Sequence, residues 1–157
     1  AESEIESVFS VNAYAPGYIA SECLRIGATM IHISSDYVFD GETEVPYGEI
    51  DLPNPLSEYG KSKALGDSMI IESGCEYLIL RTSRVFSDRG NNFAKTILQK
   101  LLEGSVLRVV NDQYSAPTST RLLSKIIQRL VHKNANKGTK LTGIYNVSGK
   151  GIISWYQ

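Results

Sequence analysis

Met30-Ile31-His32-Ile33-Ser34-Ser35-Asp36-Tyr37-Val38-Phe39-Asp40-Gly41 and, beyond a turn-rich interval, Pro55-Leu56-Ser57-Glu58-Tyr59-Gly60-Lys61-Ser62-Lys63 decide how this chain folds. Met30 to Ser34 is a short apolar, partly β-branched run of the kind that forms a buried parallel strand, and it breaks at two serines and an aspartate. Polar side chains therefore collect at a strand's carboxyl end, the edge where open α/β sheets bind ligands. Pro55 sets a turn, Ser57 is placed to cap a helix, and the helix formers Glu58, Lys61, Lys63, Ala64 and Leu65 follow. Tyr59 and Lys63 then fall one turn apart on one helix face.

That pair has a chemical use. A phenol titrates near pH ~10, too high to exchange protons freely in neutral water, and an ammonium within about 4–6 Å favours the phenolate and lowers that value. Tyr59 then serves as general acid or base, and the Ser35 hydroxyl is placed to polarise a carbonyl for hydride attack. Taken alone, Tyr-x-x-x-Lys is more often an ordinary pair on a solvated helix. It gains meaning only from its surroundings.

The 157 residues suit one domain with a buried core, and 42% apolar and 21% charged residues are ordinary for a globular chain. A net charge of −1 gives no basic footprint for nucleic acid, and Lys133, Lys137 and Lys140 are diluted by Asn, Gly and Thr in a solvated loop. No run approaches the roughly 20 apolar residues of a membrane span, so a cytoplasmic location is expected. Cys23 and Cys75 lie far apart with no CxxC and read as free thiols, and His32 and His132 stand apart, so no metal site is expected.

Along the chain, Glu4 to Arg25 has roughly helical apolar spacing, and Pro16-Gly17 predicts a kink or a fresh first turn there. Gly27 suits a left-handed cap. Ala28–Ser34 is the first strand, 41–55 a turn-rich acidic loop, Tyr59–Glu72 a helix and Glu76–Ser83 the next strand, which together make a parallel crossover. Arg81, Thr82 and Ser83 thus fall at a second carboxyl end beside the first. Asn91–Leu102 reads as a helix with Phe93, Ile97, Leu98, Leu101 and Leu102 on one face. Leu107, Val109 and Val110 read as a short strand, Thr118–His132 as an amphipathic helix and 134–142 as a polar loop.

Read as blocks in one order, His32 to Gly41, Pro53 to Lys63, Leu80 to Phe86, Gly90 to Thr96, Val110 to Thr118 and Gly143 to Gly149 resemble the extended short-chain dehydrogenase/reductases, and within them the dTDP-4-dehydrorhamnose reductases. The resemblance covers nearly the whole chain and implies a late parallel strand at Ile144–Val147. It implies an α/β fold, a partial Rossmann-like doubly wound parallel sheet with part of a smaller substrate-binding lobe. Residues 1–157 would form one incomplete NAD(P)-binding reductase domain, 1–90 mainly Rossmann-like and 91–120 and 143–157 mainly on the substrate side. The activity implied is NAD(P)H-dependent reduction of the 4-keto group of dTDP-4-dehydro-6-deoxy-L-mannose to dTDP-L-rhamnose, in nucleotide-sugar and surface polysaccharide biosynthesis.

By the same resemblance Ser35, Tyr59 and Lys63 are catalytic. Tyr59, Lys63, Arg81, Thr82 and Ser83 bind the cofactor, NADPH or NADH, and Mg2+ enters only at the level of the family. Asp36, Tyr37, Val38, Phe39, Arg84 and Asn92 border the nucleotide-sugar substrate, Asn12 lies near the active edge, and a homodimer is one assembly the family allows. Thr82-Ser83-Arg84-Val85-Phe86 departs from the Thr-Ser-Trp-Val-Tyr usual in the rhamnose-forming members, exchanging an aromatic wall for a cation that stacks or grips phosphate.

Two alternatives share the scaffold. A sugar dehydratase or epimerase is one, although a dehydratase would resemble Thr-Asp-Glu at Ser35-Asp36-Tyr37. The other is a non-catalytic NADP-binding subunit resembling the methionine adenosyltransferase β subunit, which shares the Ser-Ser-Asp-Tyr-Val-Phe-Asp-Gly wording. The sequence opens on Ala1-Glu2-Ser3-Glu4, which in the family lies inside the dinucleotide-binding half, after the glycine-rich turn. A fragment is therefore expected, inactive by itself for want of the backbone N–H groups that hold a pyrophosphate, and prone to self-association through an unpaired strand edge.

Overall fold

The computed structural model describes residues 4–135 and 140–156. They fall into two units, one ending at Thr82 and regaining Lys140–Asn146, the other running from Ser83 and resuming at Val147.

The first unit opens on a continuous helical stretch. Helix α1 (Ile5–Phe9) runs through a π-helical turn (Ser10–Tyr14) into α2 (Ala15–Ile26), which ends at Gly27 in the left-handed conformation, φ 67°. Pro16 stands in the first turn of α2, the fresh first turn expected there, and the turn before it is widened. Proline has no N–H to offer the Asn12 carbonyl, and the Ala15 N–H reaches back five residues to the Ser10 carbonyl.

Strand β1 (Thr29–Ser35) pairs in parallel with β2 (Glu76–Thr82), joined by α3 (Glu58–Glu72), and β2 pairs in parallel with β6 (Gly143–Asn146). The sheet order β1-β2-β6 with helices on it is a Rossmann-like α/β arrangement. Residues 143–146 are the late parallel strand expected at Ile144–Val147, paired to β2 in this sheet. Met30, His32 and Ser34 alternate to the buried face of β1, while β2 is buried from Leu78 onward. Ala20, Met30, Ile70, Cys75 and Ile79 form the core between α2, α3 and the sheet. Ser57 caps α3 as expected, its Oγ accepting the Gly60 N–H at 3.1 Å.

In the second unit β3 (Val85–Phe86) pairs in parallel with β5 (Thr118–Ser119), and β4 (Tyr114–Ser115) pairs antiparallel with β7 (Ile153–Ser154). Helix α5 (Thr120–Ala135) buries Leu123 and half-buries Leu122, Ile126, Ile127 and Leu130, much as its apolar stripe predicts. Helix α4 (Phe93–Leu102) forms where expected, but Leu98, Leu101 and Leu102 stay exposed and only its first residue, Phe93, makes an aromatic contact, edge-on to Trp155 at 4.3 Å. The strand expected at Leu107–Val110 does not form: these residues are irregular, Val110 is half exposed, and β4 starts only at Tyr114. Part of the polar loop, including Lys137, lies outside the described residues.

Candidate active site

The site grows from the carboxyl end of β1. Beyond Ser35 the chain turns through a 3-10 turn (Asp36–Val38), which Ser35 caps: its Oγ accepts the Tyr37 N–H at 3.2 Å and donates to Asp36 Oδ1 at 3.2 Å. Gly60 lets α3 press against this turn, because a Cβ at that position would overlap the Tyr37 carbonyl. The approach puts Tyr37 edge-on to Tyr59, centroids 5.8 Å apart. Farther along, Gly66 packs on the Asn12 carbonyl in the same way, and Asn12 Nδ2 donates to Ser62 Oγ at 3.1 Å. Asn12 thus fastens the π-helical turn to α3.

Tyr59 is hydrogen-bonded with Ser35, and burial pushes its phenol above the ordinary value; the Ser35 hydroxyl pulls it down, and Asp36 and Tyr37 push it up again. The expected lowering by Lys63 is absent, for a geometric reason. The Lys63 ammonium turns to β1, donating to the Ile33 carbonyl at 2.7 Å and lying 3.2 Å from His32 Nε2. Burial lowers the Lys63 pKa and the Asp67 charge opposes that.

Sequence reasoning missed what surrounds this lysine. One turn beyond it, the buried Asp67 accepts from Ser34 Oγ at 2.9 Å and Arg81 Nε at 3.3 Å. The spacing held the signal: Tyr59, Lys63 and Asp67 recur every fourth residue along α3, His32 and Ser34 alternate on β1, and Arg81 is the register partner of Ser34. Arg81, assigned to the cofactor, is 4% exposed, with its guanidinium turned inward to Asp67 and over the Phe39 ring at 5.1 Å. Phe39 in turn stacks on Tyr47 at 4.2 Å, and Val38 is fully buried, so both serve the core of this turn. Tyr37 is exposed.

His32 is held neutral: burial first, then the Lys63 charge, lower its pKa from 6.5 to about 4. The unfolded chain takes up a proton below pH ~6.5 and the folded one only near pH ~4, so stability is full above that window and falls as pH drops through it. The loss is of the order of 3 kcal/mol by pH 4. Urea unfolding at pH 7.5 and 4.5 checks this, and in His32→Gln the histidine part of the difference is expected to vanish.

Thr82 ends β2 as the register partner of Ser35, and its Oγ1 is buried with no hydrogen-bond partner. Such an orphaned hydroxyl beside Ser35 fits a polar ligand at this edge. In the second unit Ser83 Oγ donates to the Ala116 carbonyl at 2.6 Å. Arg84 adopts φ 39°, rare for a residue with a side chain; its guanidinium donates to the Gln113 and Ile153 carbonyls and lies over Trp155 at 4.1 Å. Asn92 caps α4, accepting the Lys95 N–H at 3.2 Å and donating to the Ser87 carbonyl at 2.7 Å. Arg84 and Asn92 thus tie backbone segments of their own unit. Among the described residues no His, Cys, Asp and Glu cluster could hold a metal, and no helix is long and apolar enough to cross a membrane.

A Rossmann-like parallel sheet with Ser35 and Tyr59 paired at the end of its first strand, and Lys63 bonded to that strand, is the arrangement expected of the short-chain dehydrogenase/reductase class. The chain belongs to the RmlD substrate binding domain family, whose model matches residues 1–157. It is 38% identical over 156 residues to a dTDP-4-dehydrorhamnose reductase of Aggregatibacter actinomycetemcomitans, a match covering 99% of this chain and 53% of the relative. A reductase of the same name from Escherichia coli is 39% identical, with 99% and 52% covered. The chain spans about half the length of the curated relatives it matches. A crystal structure of dTDP-4-dehydrorhamnose reductase from Bacillus anthracis in complex with NADP superposes with a TM-score of 0.89 at 36% identity, covering 99% of this chain and 54% of that one.

Proposed function

We propose that this chain carries the catalytic residues of an NAD(P)H-dependent nucleotide-sugar 4-ketoreductase, one that reduces dTDP-4-dehydro-6-deoxy-L-mannose to dTDP-L-rhamnose. The observation that carries the reading is the pairing of Tyr59 with Ser35 at the end of β1, with Lys63 bonded to the Ile33 carbonyl of the same strand, in a chain whose relatives are named for that reaction. A bound reduced nicotinamide would supply the hydride. Ser35 holds the substrate carbonyl oxygen, and Tyr59 delivers its phenolic proton to the same oxygen as negative charge develops there. The raised phenol pKa keeps that proton in place at neutral pH. Lys63 donates to the cofactor ribose, Thr82 Oγ1 gains a partner at the same edge, and Tyr37 lies open beside Tyr59 on the substrate side.

NADPH titration by calorimetry, with turnover followed through nicotinamide absorbance, tests the proposal. Lys63→Ala is expected to weaken NADPH binding by roughly ten- to a hundredfold, the worth of a hydrogen bond from a charged donor. No binding at millimolar NADPH would overturn the reading for this chain. Tight binding without turnover of the keto-sugar would point instead to a non-catalytic NADP-binding subunit.

A further inference from the structure

We infer that His32 is the positioning residue that aims Lys63, by accepting a hydrogen bond from its ammonium while Asp67, locked by Ser34 and Arg81, closes the far side of the cluster. The inference rests on the reading of Lys63 as a cofactor-binding group.

Two repeats cross to make the cluster. The buried face of β1 presents His32 and Ser34 two residues apart, and α3 presents Lys63 and Asp67 four apart, so His32 meets Lys63 and Ser34 meets Asp67. From β2, Arg81 completes Asp67 at 3.3 Å. All five side chains are buried, the most exposed being His32 at 9%. Of these, Asp67 from its own helix and His32 and Arg81 from the two strands beneath it are the charged or titratable groups around Lys63.

An ammonium has three donors and no acceptor. Lys63 directs one to the Ile33 carbonyl at 2.7 Å and one to His32 Nε2 at 3.2 Å, which leaves a single direction for a ligand. Because the ammonium only donates, Nε2 presents its lone pair and the ring proton sits on Nδ1. His32 Nε2 lies 3.8 Å from Asp67 Oδ1, beyond hydrogen-bond reach, so the imidazole serves the lysine and the carboxylate contributes its charge. With only Ile33 to hold it, the ammonium would be free to swing about one hydrogen bond. A cluster that merely pinned α3 to the sheet would affect stability and leave the titration of Lys63 unchanged.

The experiment is NMR titration of Lys63 in the whole chain labelled with 13C-lysine, run beside NADPH calorimetry. His32→Leu is expected to lower the Lys63 midpoint by about one pH unit and to weaken NADPH about tenfold, through loss of one charged hydrogen bond. His32→Gln sets an amide oxygen near the place of Nε2 and should restore both values to within about twofold of the parent, whereas His32→Asn falls short of that place and should behave like His32→Leu. An unchanged Lys63 midpoint in His32→Leu overturns the inference. If the leucine variant does not fold, equal Lys63 midpoints in the glutamine and asparagine variants overturn it instead. If the parent chain does not bind NADPH, the cofactor reading falls while the Lys63 midpoints still decide the role of His32.

Discussion

In a preparation that turns over the keto-sugar, Tyr59→Phe is expected to lower that turnover by about 10²- to 10⁴-fold while leaving NADPH affinity within about fivefold. The substitution deletes one oxygen and keeps the ring, so the edge-on contact with Tyr37 at 5.8 Å and the seat of α3 against the 3-10 turn remain. What is lost is the proton. Burial raises the phenol pKa, so it is fully protonated at neutral pH and acts as donor to the developing alkoxide. The nearby Asp36 is acceptor-only when ionised and cannot replace it, and the Ser35 hydroxyl, which holds the substrate carbonyl oxygen in the proposed reaction, is a far weaker acid than a phenol. Calorimetry and steady-state kinetics on one preparation separate the two effects. Turnover within a factor of ten of the parent would mean that a water delivers the proton and that Tyr59 only shapes the pocket.

Much of this was legible in the sequence because local signals agreed with tertiary ones. The apolar run ending in two serines became β1, the Ser57 cap formed, and Tyr59 and Lys63 stand one turn apart in the helix it starts. The misses have definite causes. Leu107 to Val110 has the composition of a strand, yet β structure needs a ladder partner, and the second unit pairs β4 with β7 and β3 with β5. Pro16 does open a fresh helical turn, but the π-helical widening just before it, where Gly66 and Ser62 hold Asn12, has no signal in the local sequence. Arg81 and Arg84 were assigned outward to ligands, as arginines at strand ends often are. Burial turns Arg81 to the Asp67 carboxylate, and the half-buried Arg84 instead finds backbone acceptors in the Gln113 and Ile153 carbonyls of its own unit. Only the strand register brings Arg81 and Asp67 together, and a motif search does not see it.

Asp67→Leu is expected to destabilise the fold by about 3–5 kcal/mol, a large share of the roughly 5–15 kcal/mol of a typical domain. Leucine is close in size, so the cost is electrostatic. Asp67 is the buried counter-charge between the Arg81 guanidinium and the Lys63 ammonium, 4% and 7% exposed. Without it the two cations would face each other in a poorly solvated space, and the Ser34 hydroxyl would lose its acceptor. Burial raises the Asp67 pKa, and Ser34, Arg81 and Lys63 oppose that rise, so ionised carboxylate and cations sustain one another. Asp67→Asn keeps an acceptor for Ser34 and Arg81 while removing the charge, and should cost about half as much. Urea midpoints by circular dichroism at pH 7.5, taken for the parent and both variants, read the ordering directly. A leucine variant within 1 kcal/mol of the parent would show that water reaches Arg81 and Lys63 and that the cluster is wet. In that case α3 would be held to the sheet by Ile70, Met30 and Ile79 alone, and the aim of Lys63 would have to come from the Ile33 carbonyl and His32.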